Sequence, residues 1–226
     1  MESNALLRTT KRIGTGLCFV VFPLIFVFAF SVHPNLTTPH FLTPSELIAR
    51  AHRAEMLHFA HAMVTLVTAL LVVVALHFMT VLERYHRPWW GLVGAALAIL
   101  GSLALAADKG ALCLTMSSFD SLSDAEFENM MPGLLAMFSK QGWLGLIWGI
   151  MLLPIGFGIQ AIGLLKSAAL PRWQSGLFLL GVLFIGTPDG AELINLVASL
   201  FIAVALIPYG VQIIRSQMSP TQLAPN

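Results

Sequence analysis

His58 and His61 lie one helical turn apart and are the residues of this sequence best placed for chemistry. Side chains three residues apart share one face of an α-helix, so both imidazoles could bind a single metal ion. Glu55 and His58 also have the Glu-x-x-His spacing that is typical of carboxylate-bridged metal sites in helical bundles. Glu192 or Asp108 would supply a further carboxylate. We therefore predict a site for a divalent transition metal, with ligands from His58, His61, Glu55 and Glu192.

Haem is a second cofactor that histidines suggest. A bis-histidine haem normally takes its ligands from two facing helices, whereas the histidines within the predicted membrane spans all lie on one helix. A haem here would have a single histidine ligand. Haem therefore stays an open alternative to a metal ion.

Acid–base chemistry on a lipid-soluble substrate, of quinone or isoprenoid type, is the other chemical hypothesis. Burial out of water brings the proton affinities of carboxylates and imidazoles closer together, so Glu55, His58 and Glu192 could exchange protons near neutral pH as catalytic groups. Three neighbouring polar residues would bind the cofactor or the polar part of the substrate: Arg50, Asp108 and Asn195.

The composition of the chain places these residues in a membrane protein. Of its 226 residues, 57% are hydrophobic and 10% are charged, and the mean hydropathy is +0.83. Soluble domains carry about 25% charged residues. The formal net charge of +1 provides no basic field, which argues against a nucleic-acid partner.

The apolar runs predict an all-α bundle with six transmembrane helices, forming a single integral-membrane domain over residues 1–226. A helix needs about 20 apolar residues to cross the hydrocarbon core of a bilayer. The predicted helices cover residues 14–30, 44–82, 89–107, 142–165, 173–187 and 190–214. With the N-terminus inside, eight of the 12 Lys and Arg residues fall on the inner side and four outside. This asymmetry predicts that both termini are cytoplasmic.

Two sequences predict where helices begin. Thr43-Pro-Ser-Glu46 and Ser123-Asp-Ala-Glu126 are capping boxes, in which a hydroxyl and a glutamate three residues later cap a helix N-terminus together. The first starts the second transmembrane helix above the membrane surface. The second starts a short helix, 123–131, within an outer loop, 109–141, which is a candidate lid or docking surface.

The polar residues converge at the outer side of this bundle. At about 100° per residue, Arg50, His61 and Thr65 share the helix face of His58, and such a face should turn away from lipid. The sixth helix begins at the same level with Asp189 and Glu192, which either line a common pocket or only cap that helix. We therefore predict a pocket between the outer halves of the second, third and sixth helices.

Residues 163–173 (GLLKSAALPRW) and 176–181 (GLFLLG) end one helix at a proline–arginine pair and start another. This segment resembles the inner loop of an uncharacterised group of small polytopic bacterial inner-membrane proteins. The resemblance covers the last third of the chain. It implies a helical bundle in the bacterial inner membrane and carries over no functional residue.

Two function classes remain after these arguments. One is an integral membrane protein that binds a metal or redox cofactor, or acts on a lipid-soluble small molecule, in the outer pocket. The other is a non-catalytic accessory or assembly subunit that contacts the lipid bilayer and binds a membrane-protein partner through residues 109–141.

Overall fold

The computed structural model describes residues 2–33, 36, 42–139, 142–186 and 191–216. These residues form helices throughout and contain no strand. The elements are α1 (Glu2–Ser31), α2 (Pro44–Ala51), α3 (Glu55–Arg84), α4 (Pro88–Phe119), α5 (Asp124–Phe138), a 3₁₀ segment (Gly142–Met151), α6 (Leu152–Ser167), α7 (Arg172–Phe184) and α8 (Glu192–Arg215).

Five helical segments of the described chain are long and apolar enough to cross a membrane: Ala5–Ser31, Glu55–Arg84, Pro88–Phe119, Gly145–Ser167 and Glu192–Arg215. The all-α class and the membrane-protein character predicted from the sequence are confirmed. The predicted membrane span 173–187 is not confirmed, because α7 has 13 residues. At about 1.5 Å per residue it covers about 20 Å, less than the hydrocarbon core of about 30 Å.

Six helices pack side by side in a closed ring, in the order α1, α3, α4, α6, α7, α8 and back to α1. Glycines allow the closest approach, between α4 and α6. A Cβ atom on Gly156 would lie 2.2 Å from the backbone nitrogen of Ala98. Small residues of this kind let membrane helices approach until their backbones touch.

The second predicted helix, 44–82, is not continuous and the prediction is wrong there. The chain breaks between α2 and α3, where Arg53 has a φ of 56°, in the left-handed region that a helix cannot contain. Arg50 therefore does not share the helix face of His58 that the sequence analysis predicted.

The region 109–141, predicted as an outer loop, is mostly helical. The predicted third helix, 89–107, continues to Phe119, and the short helix predicted at 123–131 continues through Pro132 to Phe138. Both predicted capping boxes are confirmed: Thr43 with Glu46 and Ser123 with Glu126 cap α2 and α5.

Helices α2 and α5 pack on each other outside the ring, and we call this pair the cap. A small apolar cluster joins the cap to the ring, with Ile48 from α2, Leu57 from α3, Met116 from α4 and Phe127 from α5. The cap therefore covers the end of the ring where α3 begins and α4 ends. We refer to this as the cap end of the molecule.

Candidate functional site

A cavity of about 240 Å³ lies under the cap, bounded by α2, α3, α4, α5, the 3₁₀ segment and the residue His33, which follows α1. Its polar wall consists of His33, His58, His61, Asp108 and Lys109. The rest of the wall is apolar and consists of Pro44, Leu47, Ala51, Leu57, Ala111, Leu112, Met116, Met137, Phe138, Ile147 and Trp148. The cavity thus combines a cluster of titratable groups with a larger apolar surface.

His58 is held by a carboxylate that the sequence analysis did not select. It lies in the first turn of α3 with 6% of its surface exposed. Its Nε2 is 3.0 Å from one oxygen of Asp120 and 3.3 Å from the other. Because a carboxylate only accepts, Nε2–H donates a hydrogen bond to Asp120. The other ring nitrogen of His58, Nδ1, is buried and has no hydrogen-bond partner among the described residues.

Asp120 follows α4 directly and also fixes the break between α2 and α3. Its Oδ1 accepts a hydrogen bond from the backbone N–H of Arg53 at 2.7 Å. The guanidinium of Arg53 donates to the carbonyl of Leu122 at 2.8 Å and lies 3.1 Å from a carboxylate oxygen of Asp124. One carboxylate therefore connects the cap, the helix break and His58.

His61 and Glu192 are linked through His33, another residue that the sequence analysis did not select. The Nδ1 atom of His33 is 3.5 Å from Oε1 of Glu192, which is 4% exposed. The rings of His33 and His61 meet edge to face, with centroids 6.1 Å apart. Glu192 thus lies behind His33 as seen from the cavity and is absent from the residues that line it.

Asp108 and Lys109 line the cavity from α4. The Nζ atom of Lys109 is 3.4 Å from Oδ2 of Asp108, and Asp108 is 3% exposed. The sequence analysis placed these residues just after the end of the third helix. They lie inside α4 instead, because the apolar residues that follow them continue that helix to Phe119.

The remaining candidates are not in the cavity wall. Glu55 is exposed in the first turn of α3, and Arg50 belongs to α2, across the helix break. Asn195 accepts a hydrogen bond from the backbone N–H of Gly186 at 2.8 Å, so it fixes the end of α7 against α8. Asp189 lies outside the described residues.

The described residues give no support to the metal hypothesis. They contain no group of three or more His, Cys, Asp or Glu side chains that could hold a metal ion. Glu55 is exposed whereas His58 is buried, and only His58 lines the cavity. Carboxylate-bridged metal sites use two Glu-x-x-His sequences. The second one in this chain, Glu83 with His86, is far from His58, at the other end of α3, where both residues are exposed.

Two further signals in the sequence could have indicated the missed residues. His33 follows the first apolar run almost directly, and Asp120 lies three residues before Ser123, which begins the second capping box. Both positions are helix ends, where polar side chains from different helices meet at one depth. Their specific pairing with Glu192 and His58 depends on tertiary contacts that no local pattern contains.

No protein-family model, curated protein or solved structure matches this chain. The resemblance of residues 163–181 to small bacterial inner-membrane proteins stays a prediction.

Proposed function

We propose that this integral membrane protein binds the headgroup of a lipid-soluble small molecule in the cavity under the cap and exchanges a proton with it. The quinone and isoprenoid types considered from the sequence both have an apolar tail and a small polar head. The observation that carries the proposal is the single cavity in which His58, backed by Asp120, faces an apolar surface together with Lys109.

The size of the cavity favours a headgroup over a whole ligand. Pockets that enclose a drug-sized molecule usually measure about 300–1,000 Å³, whereas this cavity measures about 240 Å³. The 3₁₀ segment contributes Trp148 to the wall, and this residue is 63% exposed. A tail can therefore leave the cavity beside Trp148 and continue among the lipid chains.

The pair of His58 and Asp120 supports the proton exchange. An imidazole that donates from Nε2 to a carboxylate keeps a lone pair on Nδ1, so His58 accepts a proton once the headgroup reaches this buried atom. The carboxylate also stabilises the imidazolium that forms when the proton arrives. Lys109, 26% exposed and on the same wall, is a donor for an oxygen atom of the ligand.

The test is to identify what the purified protein carries. Wild type, Ala111→Trp and Ala96→Trp are purified in parallel from native membranes, and their organic extracts are compared by mass spectrometry. Ala111 is exposed and lines the cavity, so a tryptophan there fills it. Ala96 is an exposed residue of the same helix outside the cavity wall and serves as the matched control.

We expect one lipid-soluble species in near-stoichiometric amount in wild type and Ala96→Trp, and its loss in Ala111→Trp. Identical extracts from all three proteins would contradict the proposal.

We also infer that the cap end faces outward from a bacterial plasma membrane and that both termini are cytoplasmic. The support is the Lys and Arg distribution, since Arg84, Arg87 and Arg215 follow or end helices at the end opposite the cap. A cysteine at Ser123 in the cap should react with a membrane-impermeant maleimide in intact cells, whereas one at His86 should react only after lysis. The reverse pattern would refute the orientation.

An accessory or assembly subunit is the second candidate, because the cap presents acidic side chains to the exterior. Asp124, Glu126 and Glu128 are all exposed on α5. Replacing Glu128 with lysine should release a partner that binds this surface while leaving the extracted ligand unchanged. Retention of the same co-purifying proteins would count against docking there.

A further inference from the structure

The lysine and the aspartate in the polar wall of the cavity are paired with each other. Each basic side chain that lines it, apart from His61, has a carboxylate within 3.5 Å. The pairs are His33 with Glu192 at 3.5 Å, His58 with Asp120 at 3.0 Å and Lys109 with Asp108 at 3.4 Å. His61 contacts the ring of His33. A histidine is charged only when it is protonated, so the pair of Lys109 and Asp108 is the ion pair of the described wall residues that does not depend on a histidine.

We propose that the cavity selects an uncharged headgroup and that the pair of Asp108 and Lys109 sets this selectivity. The inference rests on the proposed function, because it names the chemical class of the molecule bound in the same cavity. A headgroup with its own charge would bring that charge out of water against a wall in which Lys109 and Asp108 already offset each other. Such a transfer is strongly unfavourable unless a new counter-charge is provided.

An uncharged headgroup still needs hydrogen bonds, and the wall supplies both kinds. Lys109 donates, Nδ1 of His58 accepts, and the ring nitrogens of His61 donate or accept according to the tautomer. The favoured class is a phenol, quinone, quinol or long-chain alcohol, in which oxygen atoms accept or donate without a net charge. The disfavoured classes are isoprenoid phosphates, fatty acids and quaternary ammonium lipids.

The experiment compares three probes with the same tail: decylhydroquinone, decyl phosphate and decyltrimethylammonium. Each is titrated into protein in nanodiscs of uncharged lipid, and native mass spectrometry counts bound probe. The specific part of binding is the part lost in Ala111→Trp and kept in Ala96→Trp. We expect specific binding of decylhydroquinone with one molecule per chain, and binding of both charged probes at least about tenfold weaker, a difference of one decade in Kd.

The outcomes separate the two proposals. Specific binding of decyl phosphate or decyltrimethylammonium that equals or exceeds that of decylhydroquinone would overturn the selectivity and leave the headgroup site in place. Binding of all three probes that Ala111→Trp does not reduce would overturn the proposed function itself, and the selectivity with it.

Two variants test the role of the charge pair. Asp108→Asn leaves the positive charge of Lys109, so decyl phosphate should gain at least about tenfold in affinity relative to decylhydroquinone. Lys109→Gln leaves the negative charge of Asp108, so decyltrimethylammonium should gain instead. Lys109 is partly exposed, so this variant is expected to fold even if the substitution at the buried Asp108 destabilises the bundle. Unchanged preference in Lys109→Gln would overturn the assignment to this pair.

Discussion

Asp120 is the carboxylate on which the geometry of the candidate site depends, so its removal gives the sharpest structural prediction. Asp120→Ala removes the acceptor for the Arg53 N–H at 2.7 Å and for Nε2 of His58 at 3.0 Å. A hydrogen bond to a charged group contributes about 1.5–3 kcal/mol. Two such bonds give about 3–6 kcal/mol, and we take the lower end because the Asp120 side chain is 23% exposed.

The lost stabilisation in Asp120→Ala should appear as local opening at the break between α2 and α3. About 3 kcal/mol corresponds to roughly a hundredfold faster amide exchange. The assay is hydrogen–deuterium exchange followed by mass spectrometry, with peptides that contain Arg53. Peptides from the opposite end of α3, near Arg84, should keep the wild-type rate, because they have no contact with Asp120.

Asp124→Asn is the matched control for this prediction. It removes an aspartate that also contacts Arg53, at 3.1 Å, but whose side chain is 85% exposed. Exposed ion pairs contribute about 0–1 kcal/mol, so exchange at Arg53 should rise by less than about tenfold. If Asp120→Ala accelerated exchange no more than Asp124→Asn, Asp120 would not hold the break, and the argument for a fixed His58 would fail.

Two further predictions concern the cap and the ring. Hydrogen bonds from the hydroxyl and the backbone N–H of Ser123 lower the pKa of Glu126 below its ordinary value. Its capping contribution is therefore complete above the pKa of an unfolded glutamate and is lost as the pH falls through the lower, folded value. Exchange protection at the start of α5 should weaken over that acidic range in wild type and should be independent of pH there in Glu126→Gln. In the ring, Gly156→Ala should lower the free energy of unfolding by about 1–3 kcal/mol, because its Cβ would meet the backbone of α4. Gly176→Ala, where a Cβ meets nothing within 4 Å, should be neutral or stabilising by up to about 1 kcal/mol in the same thermal unfolding assay.

Local patterns in the sequence predicted those parts of the structure that depend on neighbours in the chain. The capping boxes at Thr43 and Ser123 form because a hydroxyl and a glutamate three residues later reach each other's backbone within one turn. Five of the six apolar runs became membrane-length helices, because each of the five is long and has almost no charge. His58 and His61 line one cavity because residues three positions apart on a helix share a face.

The break at Arg53 shows what local patterns do not contain. Residues 51–54 include no glycine or proline, so nothing in that stretch predicts an end to the helix. The left-handed conformation of Arg53 is stabilised by Asp120, 67 residues away in the sequence. The same long-range dependence explains why the partners of His58 and Glu192 were missed.

The extent of α4 was missed for a different reason. The pair Asp108 and Lys109 has the charge expected at a membrane surface, and the sequence analysis therefore ended the helix there. In the structure the two side chains lie 3.4 Å apart inside α4, facing the cavity. The charged residues of this helix line a cavity and do not mark its end, whereas the capping residues correctly indicated where α2 and α5 begin.

The most direct test of the ligand-binding cavity is a cryo-electron microscopy map of the protein in nanodiscs, purified gently from its native membrane. A headgroup-sized density between His58 and Lys109, continuing as a narrow tail past Trp148, is the predicted result. A map in which the side chains of the wall close on one another and fill that space would contradict it.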